Sequence, residues 1–482
     1  MQSLNRNTAN APAAYPEKIL QFGGGNFLRG FVDWIVEEYN EQTGSNWGIL
    51  VVKPTQKGDY ATWRQQDGLF HVLTKGIKNG QLVEESQLIK TVSRIIHPYK
   101  EWAAFLASAE QASLTYIISN TTEMGIRFSG SDSITDKPPD EFPAKLTQWF
   151  YHRFKHFQGA EKAGCVVIPT ELIIDNGTVL KNAILQYADH WQLENTFKEW
   201  IQQHTIFCNT LVDRIIPGVA KEALFDAWKQ IGFQDQLITQ GEPYHFWAIE
   251  APESVRTAFP LDTLGLNIVY TNDLSPYRTI KVRILNGAHT SMVPVGYLFG
   301  IETVREAVEH PIVGSFIRQL LFEEIIPSLD LPEAQLQQFA KDVLDRFKNP
   351  TIQHQLISIS LNSTSKLKAR ILPSILAYHQ KTGQLPKRLV FAMAAMIYFY
   401  KGERNGQPIP LKDDPTAITF LQDLWTNCDG SPTAFADLAT KVLQWEKTWG
   451  QDLSLINGFT EALTRHLIQI QEVGMEKAIV EL

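Results

Sequence analysis

The sequence predicts an α/β domain followed by a mostly α-helical one. Three observations carry this expectation. Short apolar runs alternate with helix-like segments through the first half, the pattern of a parallel sheet with helices on both faces. A glycine-rich turn joins the first apolar run to the first amphipathic stretch. Past residue 280 the strand-like runs give way to long helical patterns. With 482 residues and 44% hydrophobic content, the chain can bury more than one core. The boundary is expected between residues 1–278 and 279–482.

The elements follow in order. "KILQFGG" reads as a buried strand and "NFLRGFVDWIVEEYNEQ" as a helix, since Phe27, Phe31 and Ile35, with Leu28 and Trp34, form a stripe at helical spacing. "WGILVVKP" is a second strand. "LFHVLTKGIKNGQLVEESQLI" is a hairpin turning at Asn79-Gly80. "SLTYIISNTTE" and "GCVVIPTELI" are further strands. "PIVGSFIRQLLFEEIIPSL", "PEAQLQQFAKDVLDRF", "RLVFAMAAMIYFYKGE" and "FADLATKVLQWEKTW" are helices of the second domain.

Several function classes are excluded. A net charge of -8 without a basic run speaks against nucleic-acid binding. The most apolar run, Leu389 to Tyr400, is too short to span a bilayer and reads as a buried helix, so no membrane partner is expected. Cys165, Cys208 and Cys428 are scattered without a CxxC pair, which fits reduced cysteines in a cytoplasmic protein. The N-terminal segment has no apolar core of the kind a signal peptide needs.

A Rossmann-like dinucleotide site requires glycine where backbone approaches pyrophosphate, just ahead of a helix N-terminus. Gly23 and Gly25 supply the first two fingerprint glycines, with Asn26 and Phe27 opening the helix beside them. Leu28 holds the third position, and Gly30 follows two residues later. The acid that usually ends the second strand and holds the ribose 2′-hydroxyl is missing; Lys53 stands near its place. Lys53 is either a contact for a 2′-phosphate or a solvated loop lysine. Asn120 and Thr121, in the Ser119–Glu123 loop after a sheet strand, either line the cofactor crevice or terminate the strand.

The chemistry is expected in "YRTIKVRILNGAHTSMVP", where Lys281, Asn286 and His289 are spaced +5 and +8. On an α-helical wheel with Lys281 at zero, His289 falls near ~80° and Asn286 near ~140°, all on one side. A lysine can exchange the hydroxyl proton in alcohol oxidation or ketone reduction, while an amide and an imidazole hold the alkoxide. No metal is required for this. A helix carrying a solvated lysine is the bland alternative.

Together these residues resemble the long-chain polyol dehydrogenases, a family that includes mannitol 2-dehydrogenase and the hexuronate reductases. Lys281, Asn286 and His289 match its K-x-x-x-x-N-x-x-H element, and Gly23, Gly25, Phe27 and Arg29 match its G-x-G-x-F-x-R loop. "NTLVDRIIP", "FKNPTIQHQLISISLNSTSKLKARILPSI" and "FYKGERNG" are similar to further family segments. "QFGGGNFLRGFVDW", "SNTTEMGI" and "KVRILNGAHT" resemble most the branch acting on keto sugar acids. The resemblance implies NAD(H) as cofactor, Lys281 as general acid/base, and a small sugar-acid substrate. Fructuronate or mannitol chemistry are its alternatives, and a non-catalytic nucleotide or sugar sensor is a different class that leaves Lys281 unexplained. The family's catalytic asparagine after a core strand has no counterpart here, because the matching stretch is Pro169-Thr170-Glu171-Leu172.

A sugar acid brings a carboxylate, for which the expected cations are Arg214, Lys366, Arg370 and Arg404, with Lys366 first because it lies in the pocket-lining segment. Each is alternatively part of an internal ion pair. Asp213 either hydrogen-bonds substrate hydroxyls or braces the fold.

Overall fold

A computed structural model describes residues 1–122 and 124–482. The chain divides into two compact units, one of Met1–Lys75 and Leu82–Leu274, the other of Gly76–Gln81 and Ser275–Leu482.

Besides the short parallel pair Gln2–Ser3 and Phe233–Gln234, the strands of the first unit are β1 (Glu17–Phe22), β2 (Gly48–Val52), β3 (Phe70–Lys78), β4 (Gln81–Ile89), β5 (Val92–Ile96), β6 (Tyr116–Ser119), β7 (Val166–Pro169), β8 (Ile206–Phe207), β9 (Asn209–Asp213), β10 (Thr239–Gly241), β11 (Phe246–Glu250) and β12 (Ile268–Thr271). Six of them form an all-parallel sheet in the order β5-β2-β1-β6-β7-β8. Counted within that sheet, this is the 3-2-1-4-5-6 order of dinucleotide-binding folds. Alternate residues feed two cores. Ile19, Ile49, Val51 and Ile118 pack with Phe31 and Ile35 of the first helix. Leu20, Leu50, Val52 and Ile117 pack on the other face with Trp149 and Leu180. Both faces are covered, so the strands read as continuous apolar runs rather than alternating ones. Each completely buried side chain of this kind contributes about 1.5–3 kcal/mol.

Register places the site. Phe22 pairs with Val52 and with Ser119, and Ser119 pairs with Pro169. The carboxyl ends of β1, β2, β6 and β7 therefore lie level, and the loops that follow them emerge along one edge. The expected hairpin is present as β3 and β4, with Asn79 and Gly80 both at positive φ as a type I′ turn requires. A second small sheet pairs β9, β11 and β12, and β10 adds to β3.

The second unit is helical. Its first helix, α1, runs through residues 275–299; further along, α2 is Glu333–Phe347, and α3, Lys387–Phe399, is the buried apolar helix. Strand does not vanish after residue 280 as expected: Glu403–Arg404 and Gln407–Pro408 form a tiny hairpin around Asn405 and Gly406, both at positive φ. Two-residue strands carry no periodicity to read. Four π turns interrupt helices among the described residues, at Arg29–Asp33, Lys281–Asn286, Leu320–Ile325 and Leu367–Ile371. Among the described residues no helix is long and apolar enough to cross a membrane.

Candidate active site

In the first unit the site is built on the glycine loop between β1 and the helix that begins at Asn26. Gly23 has φ +117, and a Cβ there would stand 2.9 Å from Leu28 Cδ1 and 3.2 Å from the Asn120 carbonyl. Leu28 thus packs down onto the first glycine, where the usual fingerprint packs a third glycine. Gly24 lies against Tyr60 and Trp63. Gly25 differs from both. Its φ is an ordinary -73°, and a Cβ would meet nothing within 4 Å. The fold does not require glycine there, and the open space leaves room for a ligand's phosphate to approach the loop closely. The loop therefore fits a dinucleotide.

Arg29 fixes this loop from behind. It donates to the Gly24 carbonyl at 3.2 Å and to Asn26 Oδ1 at 2.6 Å. Asn26 Oδ1 also accepts from Thr239, so Asn26 is held at the helix entrance. Phe27 stacks on Phe31 with ring centroids 5.0 Å apart. One π turn further on, Asp33 is completely buried. Gln21 lies beside it without hydrogen-bond geometry, and neither carboxylate oxygen has a hydrogen-bond partner among the described residues. Burial raises its pKa to about 7, against the smaller opposing effects of Gln21 and Arg29.

At the end of β2, Lys53 donates to Thr55 Oγ1 at 3.1 Å and sits over the Tyr60 ring. It is buried, so it is not the solvated loop lysine of the alternative reading. At the end of β6, Asn120 donates to the carbonyl and hydroxyl of Thr170. The Thr121 amide and hydroxyl both donate to Glu171. Glu171 also accepts from Ser119 Oγ, and burial raises its pKa. This carboxylate organises the loop one residue before Leu172, which stands where the family asparagine was sought and is exposed. Glu123, which ends the expected loop segment, lies outside the described residues.

Asp213 is buried at the end of β9. The structure corrects the expectation for Arg214. Its guanidinium is buried, donates to the Glu242 and Gly30 carbonyls and to Thr74 Oγ1, and stacks 4.2 Å over Trp34. It is a brace inside the unit and does not present its fork to a ligand. Arg404 is likewise engaged, with Glu302 and the Tyr297 carbonyl.

In the second unit, Lys281 and Asn286 open and close a π turn within α1. The α-helical wheel placed them ~140° apart, but the i→i+5 bonding of a π turn sets residues five apart one above the other. His289 follows Asn286 at i+3 in the regular helix, so it shares that face. The geometry aligns the three residues more closely than the wheel did. The Asn286 carboxamide makes no hydrogen bond among the described residues. The His289 ring lies 4.3 Å from that of Phe347 and 5.3 Å from that of His354, whose pKa burial lowers. Lys366 donates to the Ile359 carbonyl at 2.7 Å; Arg370, on the Leu367–Ile371 π turn, donates to Thr290 Oγ1 at 3.3 Å.

The profile of the mannitol dehydrogenase Rossmann domain matches residues 17–263, and that of the mannitol dehydrogenase C-terminal domain matches residues 273–471. Altronate oxidoreductase of Bacillus subtilis (strain 168) is 44% identical over 479 residues, covering 99% of this chain and 98% of that protein. Altronate oxidoreductase of Yersinia pestis bv. Antiqua (strain Nepal516) is 42% identical over 480 residues, covering 99% of each. Among solved structures, a substrate-free D-sorbitol dehydrogenase aligns with a TM-score of 0.79 at 20% identity, covering 99% of this chain and 100% of that one. A Pseudomonas fluorescens mannitol 2-dehydrogenase, solved with NAD and D-mannitol, aligns at 0.66 and 20% identity, covering 100% and 99%. At that identity these two speak for the fold alone.

Proposed function

The chain belongs to the mannitol dehydrogenase family, and from that premise we propose that it is an NAD(H)-dependent oxidoreductase interconverting D-tagaturonate and D-altronate in hexuronate breakdown. The observation that supports this chemistry is the π turn of α1, which runs from Lys281 to Asn286, together with an Asn286 carboxamide that makes no hydrogen bond among the described residues. The similarity to altronate oxidoreductases over nearly the whole chain supports the substrate.

The Gly23–Gly25 loop and the first helical N–H groups hold the pyrophosphate, with Arg29 and Asn26 keeping the loop in shape. NAD(H), when bound, supplies or accepts the hydride. In reduction, Lys281 delivers a proton from Nζ to the carbonyl oxygen of the substrate; in oxidation it takes that proton back. Asn286 donates from its amide to the same oxygen as charge develops there, and His289 donates from its ring. Phe347 and His354 hold that ring, the first in a tilted contact and the second edge-on. The domains 1–278 and 279–482 divide the work, the first binding the dinucleotide and the second carrying the proton chemistry. The three free cysteines suit a cytoplasmic enzyme.

Lys281→Ala tests the assignment. It abolishes turnover of NADH with tagaturonate and leaves NADH binding, followed by fluorescence, at the wild-type level. Wild-type turnover in this variant contradicts the proposal.

A further inference from the structure

In the second unit, Arg370 has no carboxylate within ion-pair distance among the described residues, and its charge is disfavoured by burial alone. The other candidates are satisfied differently. Arg214 is bonded into the interior of the first unit, Arg404 has Glu302, and Lys366 spends its ammonium on the Ile359 carbonyl while Asp413 attracts it. Arg283 also lacks a carboxylate, but its Nε is turned to the buried Ser374 hydroxyl at 2.8 Å. Arg370 makes one hydrogen bond, from Nη1 to Thr290 Oγ1. Thr290 donates in turn to the Asn286 carbonyl at 2.8 Å. Arg370 is therefore tied to the turn of α1 that carries Asn286 and His289, and its Nε/Nη2 edge makes no hydrogen bond among the described residues.

A half-buried guanidinium without a counter-anion is costly, and the cost falls when an anion arrives. The open edge is a planar two-pronged fork, matched to a carboxylate. Lys366, one helical turn earlier, adds positive potential, and the nearby Arg370 charge in turn disfavours the charged form of Lys366. We infer that Arg370, and not Lys366 or Arg214, recognises the carboxylate of the substrate and so selects sugar acids over neutral sugars. This rests on the reading of the chain as a keto sugar acid reductase.

The test compares wild type, Arg370→Lys and Arg370→Met with NADH, using tagaturonate and the neutral ketose fructose. The KM for tagaturonate is expected to rise about 100-fold in Arg370→Met and about tenfold in Arg370→Lys, with a much smaller change in kcat, because the fork binds the carboxylate equally in ground and transition states. Any fructose turnover changes far less than tagaturonate turnover, because a neutral ketose has no carboxylate to lose. In a further variant, Arg370→Ala, added free guanidinium restores tagaturonate turnover. NADH binding checks that each variant is folded; if Arg370→Met does not fold, the Lys variant decides. A wild-type KM in a folded variant overturns the assignment of Arg370. Wild-type protein idle on tagaturonate overturns instead the substrate reading beneath it.

Discussion

Gly25→Ala and Gly23→Ala separate a glycine kept for a ligand from a glycine kept for the fold. At Gly25 the new methyl meets no atom within 4 Å and the backbone is at φ -73°. Alanine is a poor N-cap, which costs about 0.5–1 kcal/mol. Reduced freedom of the unfolded chain returns about 0.4–1 kcal/mol. The two nearly cancel, so the urea midpoint stays near wild type. The methyl occupies the space through which pyrophosphate approaches, and NADH affinity should fall at least about tenfold, or ~1.4 kcal/mol. At Gly23 the terms do not cancel. A non-glycine residue at φ +117 costs roughly 1–3 kcal/mol, and overlap with Leu28 Cδ1 at 2.9 Å and the Asn120 carbonyl adds about 1–2 kcal/mol. For a unit of this size that lowers Tm by roughly 4–9 °C. Fluorescence titration with NADH and urea unfolding of both variants make the assay. A folded Gly25→Ala that binds NADH like wild type refutes the reasoning, as does a Gly23→Ala of wild-type stability.

Asp33 makes a pH prediction. Its carboxyl is raised to about 7 in the fold, so between about pH 4 and 7 the unfolded chain loses this proton while the folded chain keeps it. Stability from this group is therefore present at low pH and lost as pH rises, by at most about 4 kcal/mol above pH 7. Asp33→Asn removes the slope: urea midpoints of variant and wild type should diverge toward pH 8 in favour of Asn, and a pH-independent difference would contradict this. Glu171→Gln turns one acceptor facing Thr121 and Ser119 into a donor. It should cost about 1–3 kcal/mol of stability and weaken NADH binding through the loosened 119–121 loop, whereas unchanged affinity would exclude a positioning role.

Much of this was legible in the sequence, for physical reasons. Strands buried on both faces must be apolar throughout, so β1, β2, β6 and β7 stand out as runs, and Asn79-Gly80 marks its hairpin because few other pairs take positive φ twice. The Lys281, Asn286 and His289 set was visible as residue types, but its geometry was not. An α-helical period cannot express a π turn, and the +5 spacing is the trace the turn leaves. Arg214 looked like a carboxylate ligand because charge is visible in a sequence and burial is not. Glu171 was hidden by the search for an asparagine one residue on. The choice among cations depended on which had an internal partner, a property of tertiary contacts alone.

The most direct test of the central claim is one set of initial rates: purified protein with NADH or NADPH, offered tagaturonate, fructuronate and fructose, and followed by loss of reduced-cofactor absorbance. The account predicts NADH-dependent reduction of tagaturonate at least about tenfold faster, in kcat/KM, than of either other sugar, equivalent to ~1.4 kcal/mol of transition-state discrimination. Preference for fructose would contradict it, because a neutral ketose has nothing to offer Arg370.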